Sequence, residues 1–252
     1  MGGVLALVAT ERTGEQALHR AARQVIRLAP TASLVVGVRA AELEPERARW
    51  LRRAVGLPVV PVDAHPLEPV LRRALTDPHR IGDGFHTWLR LTGLVPDPRL
   101  GALLARVADR AADRSRRLTA GGWTDREAAP AEVRSMARSL GLTPRGLRDL
   151  FARNRLPPPV RWKVLARTLV HAVFVQADPR VPLTRVALAL GYADSQGLSH
   201  AFHQCFGVTP SFVRSRLGWS WLAWRWWERQ QAAPGGSTAV SAHANRPRTH
   251  HT

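Results

Sequence analysis

Cysteine, lysine and tyrosine are almost missing from this 252-residue chain, which has one of each: Cys205, Lys163 and Tyr192. A single cysteine excludes an internal disulfide framework and a cysteine-rich zinc site, and it is typical of a reducing compartment, here the cytoplasm. No apolar run reaches the about 18 residues that a membrane-spanning helix needs, and the apolar range 1–10 lacks a preceding basic segment. The sequence therefore predicts a soluble protein with no membrane partner.

Acidic residues are also scarce, most of all in the C-terminal half. The chain has 37 basic and 19 acidic residues, a net charge of +18, and the range 131–229 holds fifteen basic and five acidic ones. Concentrated positive charge attracts the phosphate backbone of nucleic acids. Because 36 of the basic residues are arginine, which a GC-rich genome also favours, charge alone does not establish this partner.

The range 1–80 predicts a small α/β domain with a parallel sheet. Short apolar runs without polar alternation are typical of strands that are covered on both faces. Such runs lie at 4–9, 34–38 and 57–62. Amphipathic helical patterns lie at 14–28, 44–55 and 66–75. This alternation of strand and helix implies right-handed crossovers within one sheet.

The layout resembles part of a response-regulator receiver, most closely in the stretch LPVVPVDAHPLEPVLRRAL (57–75). That resemblance implies acidic residues after the first strand, a phosphorylated aspartate after the third and a later lysine. The chain instead has Thr10 and Glu11 after the first run, Arg39 after the second, and Asp63 where the lysine would lie. We therefore expect a degenerate receiver-like module without a phosphorylated aspartate.

The range 81–130 predicts a helical connector. Apolar residues recur at helical spacing through 100–118, which predicts a long amphipathic helix. The same apolar stripe would be present if this helix packs within its domain, connects two domains or forms a dimer. The sequence leaves these three roles open. The range 119–130 is rich in small and turn-forming residues and is the predicted domain boundary.

A sequence repeat occupies the C-terminal half. Its first copy consists of Ala137, Gly141, Pro144, Leu147 and Phe151, and its second, 50 or 51 residues later, of Ala187, Gly191, Ser195, Leu198 and Phe202. A small alanine allows a close helix crossing, glycine permits a left-handed turn, and apolar residues four apart hold the second helix on the core. The repeat predicts an all-α domain with two helix-turn-helix units, joined by a linker helix over 160–176. Thr143, and Asp194 or Ser195, are expected to cap the second helices.

The second copy, GYADSQGLSHAFHQCFGVTPSFVRSRL (191–217), closely resembles the signature of the AraC/XylS family of bacterial transcription regulators. The matching positions are Gly191, Tyr192, Ser195, Phe202, Phe206, Gly207, Thr209, Pro210 and Arg214. The resemblance covers 131–217, departs from the family at Gly146, where an aromatic residue is usual, and does not extend to a β-rich sugar-binding domain. It implies a sequence-specific regulator with two recognition helices in successive major grooves of double-stranded DNA.

Helical phase selects the side chains that would contact DNA. In the second helix of the first unit, the residues that face away from the apolar stripe are Arg145, Arg148 and Asp149. In the second helix of the second unit they are Gln196, Ser199, His200 and His203, and Ser195 lies at the start of that helix. Arg214 fills the basic position after Thr-Pro. Glutamine suits adenine, arginine suits guanine, and aspartate can accept from cytosine. A merely solvated face would present the same residues. Two histidines near Cys205 could suggest a metal site, but Cys205 is expected to face the core, so we predict no metal.

The last part of the chain predicts a helical extension over 218–231 with five tryptophans, and a disordered tail over 232–252. The tryptophans either pack on the domain or form an exposed patch for self-association or for contact with RNA polymerase.

We expect neither an enzyme nor a cofactor, because the chain has no phosphate-cradling glycine loop and no nucleophile elbow. A response regulator and a non-specific basic nucleic-acid binder remain as alternatives, and activation or repression, the effector and a homodimer stay open.

Overall fold

The computed structural model describes residues 3–119 and 129–232 and contains a small parallel sheet followed by a larger helical part. The strands are β1 (Val4–Val8), β2 (Ser33–Val38) and β3 (Val59–Pro61). The helices are α1 (Glu15–Leu28), α2 (Pro45–Val55), α3 (Leu67–Leu75), α4 (Ile81–Thr92), α5 (Pro98–Thr119), α6 (Ala129–Arg138), α7 (Pro144–Arg153), α8 (Pro159–Ala177), α9 (Leu183–Ala189), α10 (Ser195–Phe206), α11 (Pro210–Arg214) and α12 (Ser220–Ala232). Short 3₁₀ turns lie at Ala40–Glu42 and Pro78–Arg80.

The three strands form the parallel sheet that the sequence predicts, with β2 at its centre. Every residue of β2 is buried, because helices cover both faces of a sheet made by strand–helix–strand connections. The third strand is shorter than the apolar run that predicted it, and its pairing begins with Val59 opposite Val36. The edge strand β1 keeps Leu5 and Val8 exposed.

The resemblance to a receiver is not confirmed. In flavodoxin-like sheets, including those of receivers, the first strand lies between the second and the third. Here the order is β1-β2-β3, so the second strand occupies that position. We therefore describe this region as a small parallel α/β unit.

The helical part surrounds α8, which is buried on nearly every side. One continuous core runs from Ile81 in α4 to Trp226 in α12. The buried residues of α8 include the consecutive residues Leu169, Val170, His171 and Ala172, which point in four directions around the helix axis because each residue turns the helix by about 100°. A helix that is apolar all round has to be enclosed by other helices, and α5, α7 and α9–α12 contact it.

The long helix α5 packs into this same core through Leu100, Leu103, Leu104, Ala108 and Ala112. Of the three interpretations that its apolar stripe left open, the structure supports packing within the domain. The region predicted as a connector, α4 and α5, thus shares one core with the C-terminal helices. Most of the predicted boundary (120–128) and most of the predicted tail (233–252) lie outside the described residues.

The sheet is joined to the helical part at the loop before α12. The Ser33 hydroxyl at the start of β2 donates to the Leu217 carbonyl at 3.0 Å, and the Gln176 side chain of α8 donates to the Gly218 carbonyl at 2.8 Å. Arg72 of α3 donates to the Gln176 carbonyl at 2.7 Å. Gly218 has a φ of 84°, which favours glycine, and it leaves room for Ser33.

Replacing Gly218 should therefore weaken this joint. In Gly218→Ala the new methyl would lie 2.8 Å from the Ser33 Cβ, in addition to the left-handed backbone strain. We expect the free energy of unfolding to fall by about 3 kcal/mol or more. The control is Gly93→Ala, which has a similar φ of 68° and no atom within 4 Å of the new methyl; it should lose only about 1–2 kcal/mol. Urea denaturation measures both, and equal losses would contradict the role of the Ser33 contact.

Candidate nucleic-acid interface

The turn after α6 closes with a specific pair of backbone hydrogen bonds. Gly141 adopts a left-handed φ of 67°. The Leu142 N–H donates to the Ala137 carbonyl at 2.9 Å, and the Gly141 N–H donates to the Arg138 carbonyl at 3.0 Å. This is the Schellman arrangement, which satisfies the last carbonyls of a helix and reverses the chain.

The turn after α9 has the same arrangement 50 residues later. Gly191 has a φ of 80°, the Tyr192 N–H donates to the Ala187 carbonyl at 2.9 Å, and the Gly191 N–H donates to the Leu188 carbonyl at 3.0 Å. Both alanines that accept these bonds, Ala137 and Ala187, are fully buried. The repeated alanines and glycines of the sequence therefore mark two turns with the same backbone hydrogen bonds.

Each turn leads into a capped helix. The Thr143 hydroxyl accepts from the Gly146 N–H at 3.0 Å at the start of α7, and the Asp194 carboxylate accepts from the Gly197 N–H at 2.7 Å at the start of α10. Between the two candidates for the second cap, the structure selects Asp194, and Ser195 is the first residue of the helix. These caps satisfy backbone donors that the helix leaves unpaired, and so fix where each helix begins.

The outward faces of the two helices carry the predicted side chains. On α7, Arg145, Arg148 and Asp149 are exposed, and on α10 Gln196, His200 and His203 are exposed, whereas Ser195 and Ser199 are half-buried. The Ser199 hydroxyl donates to the Ser195 carbonyl at 2.8 Å, which engages its proton within the helix. Two further exposed residues, Arg153 and Gln204, were missed; each lies one turn beyond Asp149 or His200, so helical phase would have found them.

Arg214 differs from these side chains because it bonds to backbone within the domain. Its two terminal guanidinium nitrogens donate to the Pro179 carbonyl at 3.1 Å and to the Val181 carbonyl at 2.5 Å. It is half-buried and holds α11 against the loop before α9. These bonds give Arg214 a positioning role in the structure, and its contact with DNA stays a prediction.

A buried pair connects the second turn to α8. His171 Nδ1 lies 2.8 Å from the Tyr192 hydroxyl, and the two rings meet edge to face at 5.4 Å. Burial, together with the charges of Arg167 and Arg114, lowers the pKa of His171 to about 3, and burial raises the pKa of Tyr192. A neutral imidazole can accept the tyrosine proton at Nδ1, whereas an imidazolium cannot. Sequence reasoning missed His171, although a histidine within the apolar pattern of α8 was a visible signal.

Cys205 faces the core, as predicted. Its side chain is 4% exposed, and burial raises the pKa of its thiol to about 12. A metal ligand has to be the thiolate, which this environment disfavours. Within residues 3–119 and 129–232, no group of three or more histidine, cysteine, aspartate or glutamate side chains is arranged to hold a metal ion.

The tryptophan-rich segment packs on the domain rather than forming an exposed patch. Trp221 and Trp226 of α12 are buried, and the Trp226 ring lies 4.8 Å from that of Trp162 in α8. Arg225 donates through Nε to the Phe206 carbonyl at 2.7 Å, at the last residue of α10. The extension therefore fixes the C-terminal end of α10.

These elements define a helix-turn-helix DNA-binding fold. A family model described as a helix-turn-helix domain matches residues 136–216, from the end of α6 to just beyond α11. The match supports an AraC-type domain and a DNA-binding transcription regulator. No curated protein and no solved structure matches the chain. Among the helices of the described residues, none combines the length and the apolar character that crossing a membrane requires.

The buried His171 should make stability depend on pH. Its pKa of about 3 lies below the about 6.5 of an unfolded histidine, so its contribution is present above pH 6.5 and is lost as the pH falls toward 3. Between pH 7 and pH 5 we expect this residue alone to lower the free energy of unfolding by about 2 kcal/mol. Urea denaturation at the two pH values measures the difference.

Two variants isolate this effect. His171→Asn keeps an acceptor near the position of Nδ1 but cannot be protonated, so it should lose most of the difference between pH 7 and pH 5. His200→Asn removes an exposed histidine and should keep the wild-type difference. A pH dependence that survives in His171→Asn would contradict the assignment.

Proposed function

We propose that the protein is a sequence-specific transcription regulator that inserts α7 and α10 into successive major grooves of one DNA duplex. The observation that carries this proposal is the pair of turns with the same hydrogen bonds, each followed by a capped helix with an exposed polar face. In helix-turn-helix proteins the second helix of such a pair reads base edges. The proposed function is one of binding, with no catalytic step and no cofactor.

The linker helix supports the use of both units together. The 19 residues of α8 give a length of about 28 Å at 1.5 Å per residue. Successive major grooves on one face of DNA lie about 34 Å apart. Because α8 is enclosed in the core, it would hold the two units at a constant separation.

The two helices carry different chemistry and would read different bases. On α7, Arg145 and Arg148 can donate two hydrogen bonds to guanine, and Asp149 can accept from cytosine or orient an arginine. On α10, Gln196 suits adenine, and His200 can donate to guanine or to a phosphate. We therefore expect a recognition site with two unlike halves rather than a palindrome within one protomer.

The proposal is tested by comparing the DNA upstream of the protein's own operon with a scrambled sequence of the same length. At moderate salt we expect the specific DNA to bind at least about 10³-fold more tightly. Hydroxyl-radical footprinting should show two protected half-sites about one helical turn apart. Equal affinity for both sequences would identify a non-specific basic binder and would refute sequence-specific regulation.

The assignment of α10 to the groove is tested by Gln196→Ala combined with His200→Ala. Both side chains are exposed, so the domain should still fold, while the preference for specific DNA should be lost. The matched control combines Gln231→Ala with His65→Ala, two exposed positions outside α10, and should keep the preference. Competition binding measures the ratio, and an unchanged preference in the first variant would remove α10 from the proposal.

The role of α7 is tested by Arg145→Lys, which keeps the charge but loses the two parallel donors. We expect the preference for specific DNA to fall by about tenfold, with non-specific affinity nearly unchanged. Arg99→Lys, at an exposed arginine near the start of α5, is the control and should change neither quantity. A uniform loss on all sequences would assign Arg145 to the phosphate backbone instead.

A further inference from the structure

A cavity of about 430 Å³ lies between the α/β unit and the helical part. Its wall is formed by the ends of α1, α2 and α3, the start of β2, residues of α4, and the segment 218–220 at the start of α12. Cavities of 300–1,000 Å³ at such junctions are typical of sites for small organic ligands. Neither the proposed DNA contacts nor the helix-turn-helix domain uses this space.

One part of the wall is apolar and aromatic. Leu34, Leu75 and Leu91 contribute aliphatic surface, and Trp88 and Trp219 contribute two rings whose centres lie 6.4 Å apart at an angle of 70°. Trp88 is held against Phe85 in a stacked pair at 5.8 Å. Rings fixed in this way offer a flat apolar body a preformed surface.

Another part of the wall is positively charged. Four arginines line the cavity, Arg52, Arg53, Arg80 and Arg90, against two aspartates. Asp77 already accepts a hydrogen bond from the His79 N–H at 2.9 Å. The excess of guanidinium groups favours an anionic ligand, since arginine binds carboxylates through two parallel hydrogen bonds.

Arg80 is the strongest anchor in this group. It is half-buried, and within the described residues its guanidinium has neither a hydrogen bond nor an ion pair closer than 4 Å. Burial and the neighbouring charge of Arg52 lower its pKa, and the charges of Asp77 and Asp83 only partly offset this. A partly desolvated guanidinium without a bonded partner gains most from a carboxylate that enters beside it.

We propose that this cavity binds a small aromatic carboxylic acid, with the carboxylate on Arg80 and the ring against Trp88 and Trp219. The regulatory part of the proposal rests on the proposed function. A ligand there would contact the loop that leads into α12, whose Arg225 holds the end of α10. Occupancy would then change the affinity for DNA, and by linkage DNA would change the affinity for the acid by the same factor.

The binding site is tested by isothermal titration calorimetry of the full chain with 3-phenylpropionate and with its neutral amide, 3-phenylpropionamide. We expect saturable millimolar or tighter binding of the acid, and at least about tenfold weaker binding of the amide. Absence of saturable acid binding, or equal affinity for acid and amide, would overturn the proposal.

Three variants locate the site. Arg80→Gln should lower the affinity for 3-phenylpropionate by about tenfold or more. Ala74→Phe fills part of the cavity and leaves the charged residues of its wall unchanged. This variant should abolish binding of the acid. Arg49→Gln, at an exposed arginine of α2 outside the cavity, is the control and should bind as the wild type does. Wild-type affinity in both folded cavity variants would overturn the assignment.

Regulation is tested separately, by measuring affinity for the operon's upstream DNA with and without saturating 3-phenylpropionate. If the acid changes the DNA affinity of the wild type but not that of Arg80→Gln, the result supports coupling between the cavity and the DNA-binding surface. Binding of the acid without any shift in DNA affinity would overturn the regulatory part and leave the cavity site standing. Absence of specific DNA binding under all conditions would refute the proposed function, while the calorimetry would still decide the site.

Discussion

The arrangement of the helical part depends on enclosing α8, because this helix is apolar around nearly its whole circumference. Such a helix is stable only when neighbours remove all its faces from water. Helices from both sides of it in the chain meet this requirement: α5 comes before it, and α9–α12 follow. The positions of the two capped helices, α7 and α10, are consequences of that enclosure, since both lie against a part of the molecule that cannot tilt without exposing core.

Within this frame, backbone and buried contacts set the orientation of α10, and its exposed side chains are left free. The Schellman turn at Gly191 and the Tyr192–His171 contact fix its beginning, while Arg225 holds its end. None of these contacts uses Gln196 or His200. Under the proposed function, substitutions on the exposed face would therefore change which bases are read without changing where the helix lies, which is the separation of roles that sequence-specific recognition requires.

The α/β unit contacts the helical part beside α8 and the start of α12, where a bound ligand would alter the packing of the helices. Gly218 and its neighbours touch β2, α8 and the start of α12, and the same residues form one side of the cavity. A ligand that fills the cavity would contact the segment 218–220 and would not contact α7 or α10. Coupling of this kind acts through the packing of α12 and needs no contact between ligand and DNA.

The sequence by itself determined most local features: the three strands, the main helices, the two alanine–glycine turns, the cap at Thr143, and the outward faces of α7 and α10. These follow from periodicity and from backbone preferences that act over a few residues. Only the tertiary structure decided that β2 is the central strand, that α5 belongs to the core around α8, that Arg214 bonds to backbone carbonyls, and that Arg80 lines a cavity. Those outcomes depend on contacts between segments such as Ser33 and Leu217, 184 residues apart, and a local pattern shows which face is buried but not what covers it.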